Sequence, residues 1–207
     1  MHRDRAIPVL LLISAPSGGG KTTVCERLVS GAAGLTRAVT CTTRLPRTGE
    51  RAGYDYHFLT AADFDRRVAA GEFLEHATVY GNRYGTLKSE AIDRLRAGED
   101  VLLNIDVQGA AAVRTAARAD AELARSLVTI FLTPPSIAVL EQRLHRRGKD
   151  SPETIQRRLA EARRELGEAK HFDYLVLSGT IEEDERRVRA IHAAEKMRLA
   201  RVTLPEL

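Results

Sequence analysis

Apolar residues in this chain come in two textures, short near-continuous runs and longer stretches in which they recur at helical spacing. The runs at residues 9–13, 101–105, 127–132 and 174–177 read as strands of a sheet, the first of them buried. Between and after them, residues 23–29, 89–97, 108–119, 137–146, 152–169 and 182–199 read as helices. Such alternation predicts an α/β protein with a parallel sheet flanked by helices. Ser151 followed by Pro152 and Glu153 is a credible helix start. One region breaks the rhythm. After a second short strand at 36–41 comes an irregular basic stretch, 42–51, then two small strands at 54–59 and 73–80. A helix at 61–70 lies between them, capped by Thr60 and closed by Gly71. This reads as an insertion.

The junction after the first strand carries the most chemistry. Ala15, Pro16, Ser17, Gly18, Gly19, Gly20, Lys21 and Thr22 lead from an apolar strand into a helix that begins about Thr23. Backbone N–H groups at such a junction converge where the positive end of the helix dipole lies, so a polyphosphate fits there. Lys21 would reach the β- and γ-phosphates, and the Thr22 hydroxyl would ligate Mg²⁺. The pattern G-x-x-x-x-G-K-[ST] is met except at its first position, Ala15, which needs backbone at negative φ. The competing interpretation is an ordinary glycine-rich turn.

Composition narrows the rest. At 207 residues, 43% of them hydrophobic, the chain suits one α/β domain with insertions. No apolar run is long enough to cross a bilayer, and the N-terminal segment is too short for a secretory signal, so a cytoplasmic protein with no membrane partner is expected. Cys25 and Cys41 have no metal or disulfide spacing, and reduced, partly buried thiols are the expectation. The formal charge is +4, from 32 basic and 28 acidic residues. That modest excess, with 5% aromatics and no Trp, argues against a nucleic-acid partner and suits anionic small substrates.

Two arginine clusters are candidates for further phosphate contacts. Arg44 and Arg47 flank Pro46, a geometry suited to a phosphate monoester. Arg143, Arg146, Arg147, Arg157 and Arg158 flank the turn Lys149-Asp150-Ser151, which can hinge as a lid. Either cluster could instead be a solvated basic face. Asp106 ends a strand and should face the site, because ligands of parallel sheets sit at the carboxyl ends of strands; it could equally cap the next helix. Within the insertion, Tyr56, Tyr84 and Thr86 offer hydroxyls for phosphate. The carboxylate of Glu75 is out of place among them unless it accepts from something such as the N1–H and N2 donors of guanine.

Several segments together resemble the guanylate kinase family over nearly the whole chain. They are the glycine-rich loop, Thr42-Thr43-Arg44-Leu45-Pro46-Arg47-Thr48-Gly49-Glu50, Gly53-Tyr54-Asp55-Tyr56, Gly71-Glu72-Phe73-Leu74-Glu75, Gly81-Asn82-Arg83-Tyr84-Gly85-Thr86, Ile105-Asp106-Val107-Gln108-Gly109 and residues 143–148. The resemblance implies a P-loop NTPase core at about 1–38, 88–140 and 159–207. It also implies a small mixed GMP-binding insertion at about 39–87 and a helical lid at about 141–158. ATP would bind residues 15–23, including Thr23, with Arg143 and Arg147. GMP, and dGMP with it, would bind through Thr40, Arg44, Arg47, Tyr56, Glu75, Tyr84, Thr86 and Asp106. Lys21, Arg44, Arg147 and Arg158 would carry catalysis. Three positions depart from the family pattern: Thr40 replaces a serine, Asn104 replaces a carboxylate, and Ser178-Gly179-Thr180 replaces Asn-Asp near the adenine. A non-catalytic scaffold module and a kinase for another phosphorylated acceptor, such as a sugar, are the alternative readings.

Overall fold

Every residue of strand β1 (Leu10–Ser14) is buried, and its side chains divide between two apolar layers. In this computed structural model, which describes residues 6–31, 34–79, 81–146 and 151–202, Leu11 and Ile13 pack with Val24, Cys25 and Leu28. Leu10 and Leu12 pack instead with Ala110, Val113 and Leu123. Successive side chains of a strand leave opposite faces, so a strand with helices on both sides must show this division.

Around β1 lies a five-stranded parallel sheet. Its order is β2 (Leu35–Arg37), β7 (Asp100–Asn104), β1, β8 (Leu127–Thr133) and β9 (Tyr174–Leu177). One face is covered by helices α1 (Lys21–Ser30) and α8 (Ile181–Lys196), the other by α3 (Arg94–Arg96), α4 (Val107–Ala119) and α5 (Ala121–Ser126). Ile13 stands opposite both Asn104 and Ile130, so the carboxyl ends of the three central strands share one rim, β7 ending one residue before β1 and β8 running past both to Thr133. Helices α6 (Ile137–Arg146) and α7 (Pro152–Gly167) pair through a small core of their own, Leu140, Leu144, Ile155, Leu159 and Ala162. Among the described residues no helix is long and apolar enough to cross a membrane.

The insertion forms a second, mixed sheet in the order β4 (His57–Phe58), β3 (Cys41–Thr42), β6 (Asn82–Leu87) and β5 (Phe73–Val79). Helix α2 (Ala61–Ala69) packs on it through Phe64, whose ring stacks on Phe73 with centroids 4.5 Å apart. As expected, Thr60 caps α2, accepting from Asp63 N, and Gly71 beyond its end has φ 66°.

The structure refines the sequence reading in four places. The strand expected at 36–41 is two: β2 ends at Arg37, Ala38 N still bonds Leu102 O, and the chain then crosses to the second sheet as β3. Strand β6 was not expected, because Asn82 to Leu87 is polar and contains Gly85. That glycine is required there, since a Cβ would lie 2.8 Å from the Phe73 ring. The unforeseen α5 starts at Asp120, whose carboxylate accepts from Glu122 N and Leu123 N. The helix expected at 89–97 opens with a π-helical turn, Ser89–Asp93.

A polar lock holds the end of the sheet remote from this rim. Asp100, 5% exposed, accepts from Val9 N at 2.9 Å, His192 Nε2 at 2.9 Å and Lys196 Nζ at 2.6 Å, tying α8 to β1 and β7. Burial pushes its pKa up, but these hydrogen bonds outweigh it and bring the value to about 2. Its contribution to stability is therefore present above a pH of about 4 and lost as pH falls through about 2. Asp100→Ala is expected to destabilise the fold by about 3 kcal/mol at neutral pH, measured by urea unfolding, because it leaves buried partners uncompensated.

Candidate active site

Gly18 and Gly20 sit at φ 91° and 96°, a region that favours glycine, and this turns the chain from β1 into α1. A Cβ on Gly18 would lie 2.8 Å from Leu144 Cδ2, so the loop backbone packs directly on α6. Ala15 is buried in the apolar layer of Val24 and Cys25, and a Cβ on Gly19 would come 3.1 Å from its methyl. The alanine at the first pattern position is thus accommodated by the glycine facing it.

Helices α2, α4, α5, α7 and α8 each have a side-chain cap, from Thr60, Asp106, Asp120, Ser151 and Thr180. Helix α1 has none: Gly20 stands at the cap, and no acidic residue lies in the first turn. Its first N–H groups and dipole are left to an external anion. Lys21 Nζ donates to Ile105 O at 2.5 Å, and burial lowers its pKa against the pull of Cys25, Asp106, Glu165 and Glu75. An unforeseen contact closes the loop from the α7 side, where Ser17 N donates to Glu165 Oε2 at 3.0 Å.

Three cavities open on this rim. One of about 250 Å³ follows residues 15–23 and reaches Asp106, Gln108, Glu161 and Glu165. A second, about 340 Å³, lies beyond Gly18, Gly20 and Thr23, against Arg143, Arg146 and residues 178–181. There Arg143 Nη1 donates to Ser178 Oγ at 3.0 Å, and Ser178 Oγ donates to the buried Asp184 at 2.6 Å. The third, about 290 Å³, is lined by Lys21, Thr22, Thr40, Tyr56, Glu75, Tyr84, Asn104 and Asp106. Lys21 and Thr22 therefore stand on the wall between the loop cavity and the third.

Glu75 on β5 is 5% exposed, and burial raises its pKa to about 7, partly opposed by the hydrogen bond from Thr86 Oγ1 at 2.8 Å. Thr86 is wholly buried behind Glu75 and orients it; it does not line the cavity. A Cβ on Gly109 would lie 2.8 Å from Glu75 Oε2, so the first turn of α4 leaves room for this carboxylate. Asp106 does both things foreseen of it. One oxygen caps α4, accepting from Gly109 N at 2.8 Å, and the residue lines two of the cavities.

Arg44 is half-buried, its guanidinium 5.4 Å from the centre of the Tyr56 ring that lines the third cavity, and Arg47 is exposed; neither arginine itself lines any of the three cavities. Arg158 is half-buried on α7 and lines none of them either, while Arg146, to which no role was assigned, lines the second. Arg147 lies outside the described residues. Burial pushes the Cys25 and Cys41 thiols up to about 12 and 11, so both remain inert.

A glycine-rich loop between a central parallel strand and an uncapped helix, with an invading lysine, places the protein in the P-loop nucleotide-binding class. Comparison with known proteins makes this specific. The family model described as Guanylate kinase matches residues 8–195. A guanylate kinase of Clostridium perfringens is 41% identical over 202 residues, 98% of this chain and 90% of that one. One of Nitrosomonas europaea is 43% identical over 192 residues, 93% and 92% of the two. A crystal structure of guanylate kinase from Anaplasma phagocytophilum superposes with a TM-score of 0.78 at 33% identity, covering 96% of this chain and 92% of that one. The chain belongs to the guanylate kinase family.

Proposed function

We propose that ATP lies along the phosphate loop with its base toward Arg143 and Ser178, and that GMP fills the cavity between Lys21 and Glu75. The reaction is ATP-dependent phosphorylation of GMP to GDP. The observation that carries the assignment of sites is the shared wall. Lys21 and Thr22 line both the loop cavity and the cavity of Glu75, Tyr56 and Tyr84, so a γ-phosphate and an acceptor phosphate would meet there.

The division of labour follows from charge. A nucleoside monophosphate is already largely ionised at neutral pH, so its oxygen needs no general base. Transfer then depends on alignment and on offsetting the charge of two phosphates. Lys21 and the N-terminus of α1 act on the donor, with Arg143 of α6 and also Arg147 neutralising the donor phosphates. Arg44, Arg47, Tyr56 and Tyr84 hold the acceptor phosphate, with Arg44 and Arg158 offsetting the charge that shifts during transfer. Glu75, oriented by the Thr86 hydroxyl, takes the guanine N1–H and N2 donors, with Thr40 and Asp106 completing the base pocket. The same pocket takes dGMP as acceptor, as the family resemblance implies.

Among the described residues no group of three His, Cys, Asp or Glu side chains is placed to hold a metal. That suits Mg²⁺, which is held chiefly by substrate phosphates and water, with the Thr22 hydroxyl as its protein ligand. When bound it neutralises phosphate charge. The basic excess serves these anionic substrates, and we assign no nucleic-acid or membrane partner and a cytoplasmic location. Mixed with ATP, GMP and Mg²⁺, the protein is expected to form ADP and GDP in equal amounts, read by ³¹P NMR. ADP released without GDP would mean hydrolysis and overturn this reading.

A further inference from the structure

Glu50 lines none of the three cavities, yet its carboxylate organises the residues that flank the third. Arg44 Nη1 donates to Glu50 Oε2 at 3.0 Å and Arg44 Nη2 donates to Oε1 at 2.9 Å, a bidentate pair. The same Oε2 accepts from Arg47 N at 2.7 Å, and Glu50 N returns a bond to Arg47 O at 3.0 Å. Arg44 Nη1 also donates to Leu45 O at 2.7 Å. The paired side chains are only 13% and 20% exposed.

This geometry selects which edge of Arg44 is offered to a ligand. A guanidinium has five N–H groups. Glu50 and Leu45 engage three of them, at the end of the fork. The Nε hydrogen and the second Nη2 hydrogen remain, side by side, for Tyr84 and for an incoming phosphate. The Tyr56 ring, 5.4 Å away, limits tilting of the guanidinium plane. The turn from Arg44 to Glu50 is therefore closed on itself, with both arginines referred to one carboxylate.

We propose that Glu50 is a positioning residue of the acceptor site, presetting Arg44 and the Arg47 backbone to receive the phosphate of the monophosphate. The proposal rests on the reading of Arg44 as a phosphate ligand. Presetting a flexible arginine lowers the ordering cost met at binding. A carboxylate that merely competed with the phosphate for Arg44 would do the opposite, and its removal would tighten binding.

The test is equilibrium binding of GMP and of guanosine, which lacks the phosphate, by calorimetry and ligand-observed NMR. Glu50→Ala is expected to weaken GMP about tenfold or more while guanosine binds as to the wild type. Glu50→Gln, which can still accept at one oxygen, falls between. The double variant Arg44→Ala/Glu50→Ala is expected to bind GMP no more weakly than Arg44→Ala alone. Equal or tighter GMP binding by Glu50→Ala, an equal loss for guanosine, or additive losses in the double variant would overturn the proposal. If Arg44→Ala itself leaves GMP binding intact, the phosphate-ligand reading of Arg44 fails, and Glu50 falls with it.

Discussion

Replacing Lys21 with alanine is expected to lower kcat by a factor of about 10³, with GMP still bound. The side chain is half-buried at the rim, its ammonium group anchored on the Ile105 carbonyl, on the wall shared by the loop cavity and the third cavity. Its charge is disfavoured by burial and only partly offset by the field of Asp106, Glu165 and Glu75; an arriving phosphate would add a direct anionic bond. The interaction is then strongest where charge shifts between donor and acceptor, so the loss belongs in turnover. Steady-state kinetics with a separate GMP titration decide it. A kcat within about tenfold of the wild type would remove Lys21 from transition-state stabilisation.

Glu75→Gln is expected to reduce kcat/KM for GMP by about 10² or more and to leave the slow rate with AMP unchanged. A glutamine turns one acceptor oxygen into an amino group that faces guanine's own donors, leaving buried polar groups unpaired. The same residue predicts a pH dependence. Guanine needs the ionised carboxylate, whose pKa in the ligand-free protein is about 7. The KM for GMP should therefore be flat above that pH and rise about tenfold per pH unit below it. The stability sign is the reverse of that for Asp100. A raised carboxylate pKa gives stability that is full below about 4.3 and lost as pH rises through about 7, about 3 kcal/mol for this shift. Glu75→Gln should accordingly melt higher than the wild type at pH 8, stability being traded here for recognition.

The core was legible because buried strands and one-faced helices impose distinct periods on the sequence, and β1, β7 and β8 each carry the expected one; β9 stands where its apolar run predicts a strand, but at the sheet edge with Leu175 and Leu177 exposed. The insertion was less so. Strand β6 has a polar, glycine-containing sequence whose logic is visible only once the Phe73 ring lies over Gly85. The split of 36–41 depends on where the chain changes sheets, which no local pattern encodes. In the site, the loop, Asp106 and Glu75 were readable from residue type and position. Thr86 was assigned to the cavity but sits behind Glu75, and Glu165 and Glu50 were missed. Carboxylates that serve other groups through tertiary contact, 148 residues apart for Ser17 and Glu165, leave no periodic trace. The glutamate three residues after Arg47 was in the motif, but its partner choice needed coordinates.

The central claim is that the cavity between Lys21 and Glu75 selects a guanine monophosphate as acceptor. A coupled ADP-release assay with ATP and, in turn, GMP, dGMP, AMP, UMP and ribose 5-phosphate tests it most directly. GMP and dGMP are expected to react at least about 100-fold faster, in kcat/KM, than the other three; equal rates with GMP and AMP would contradict the account.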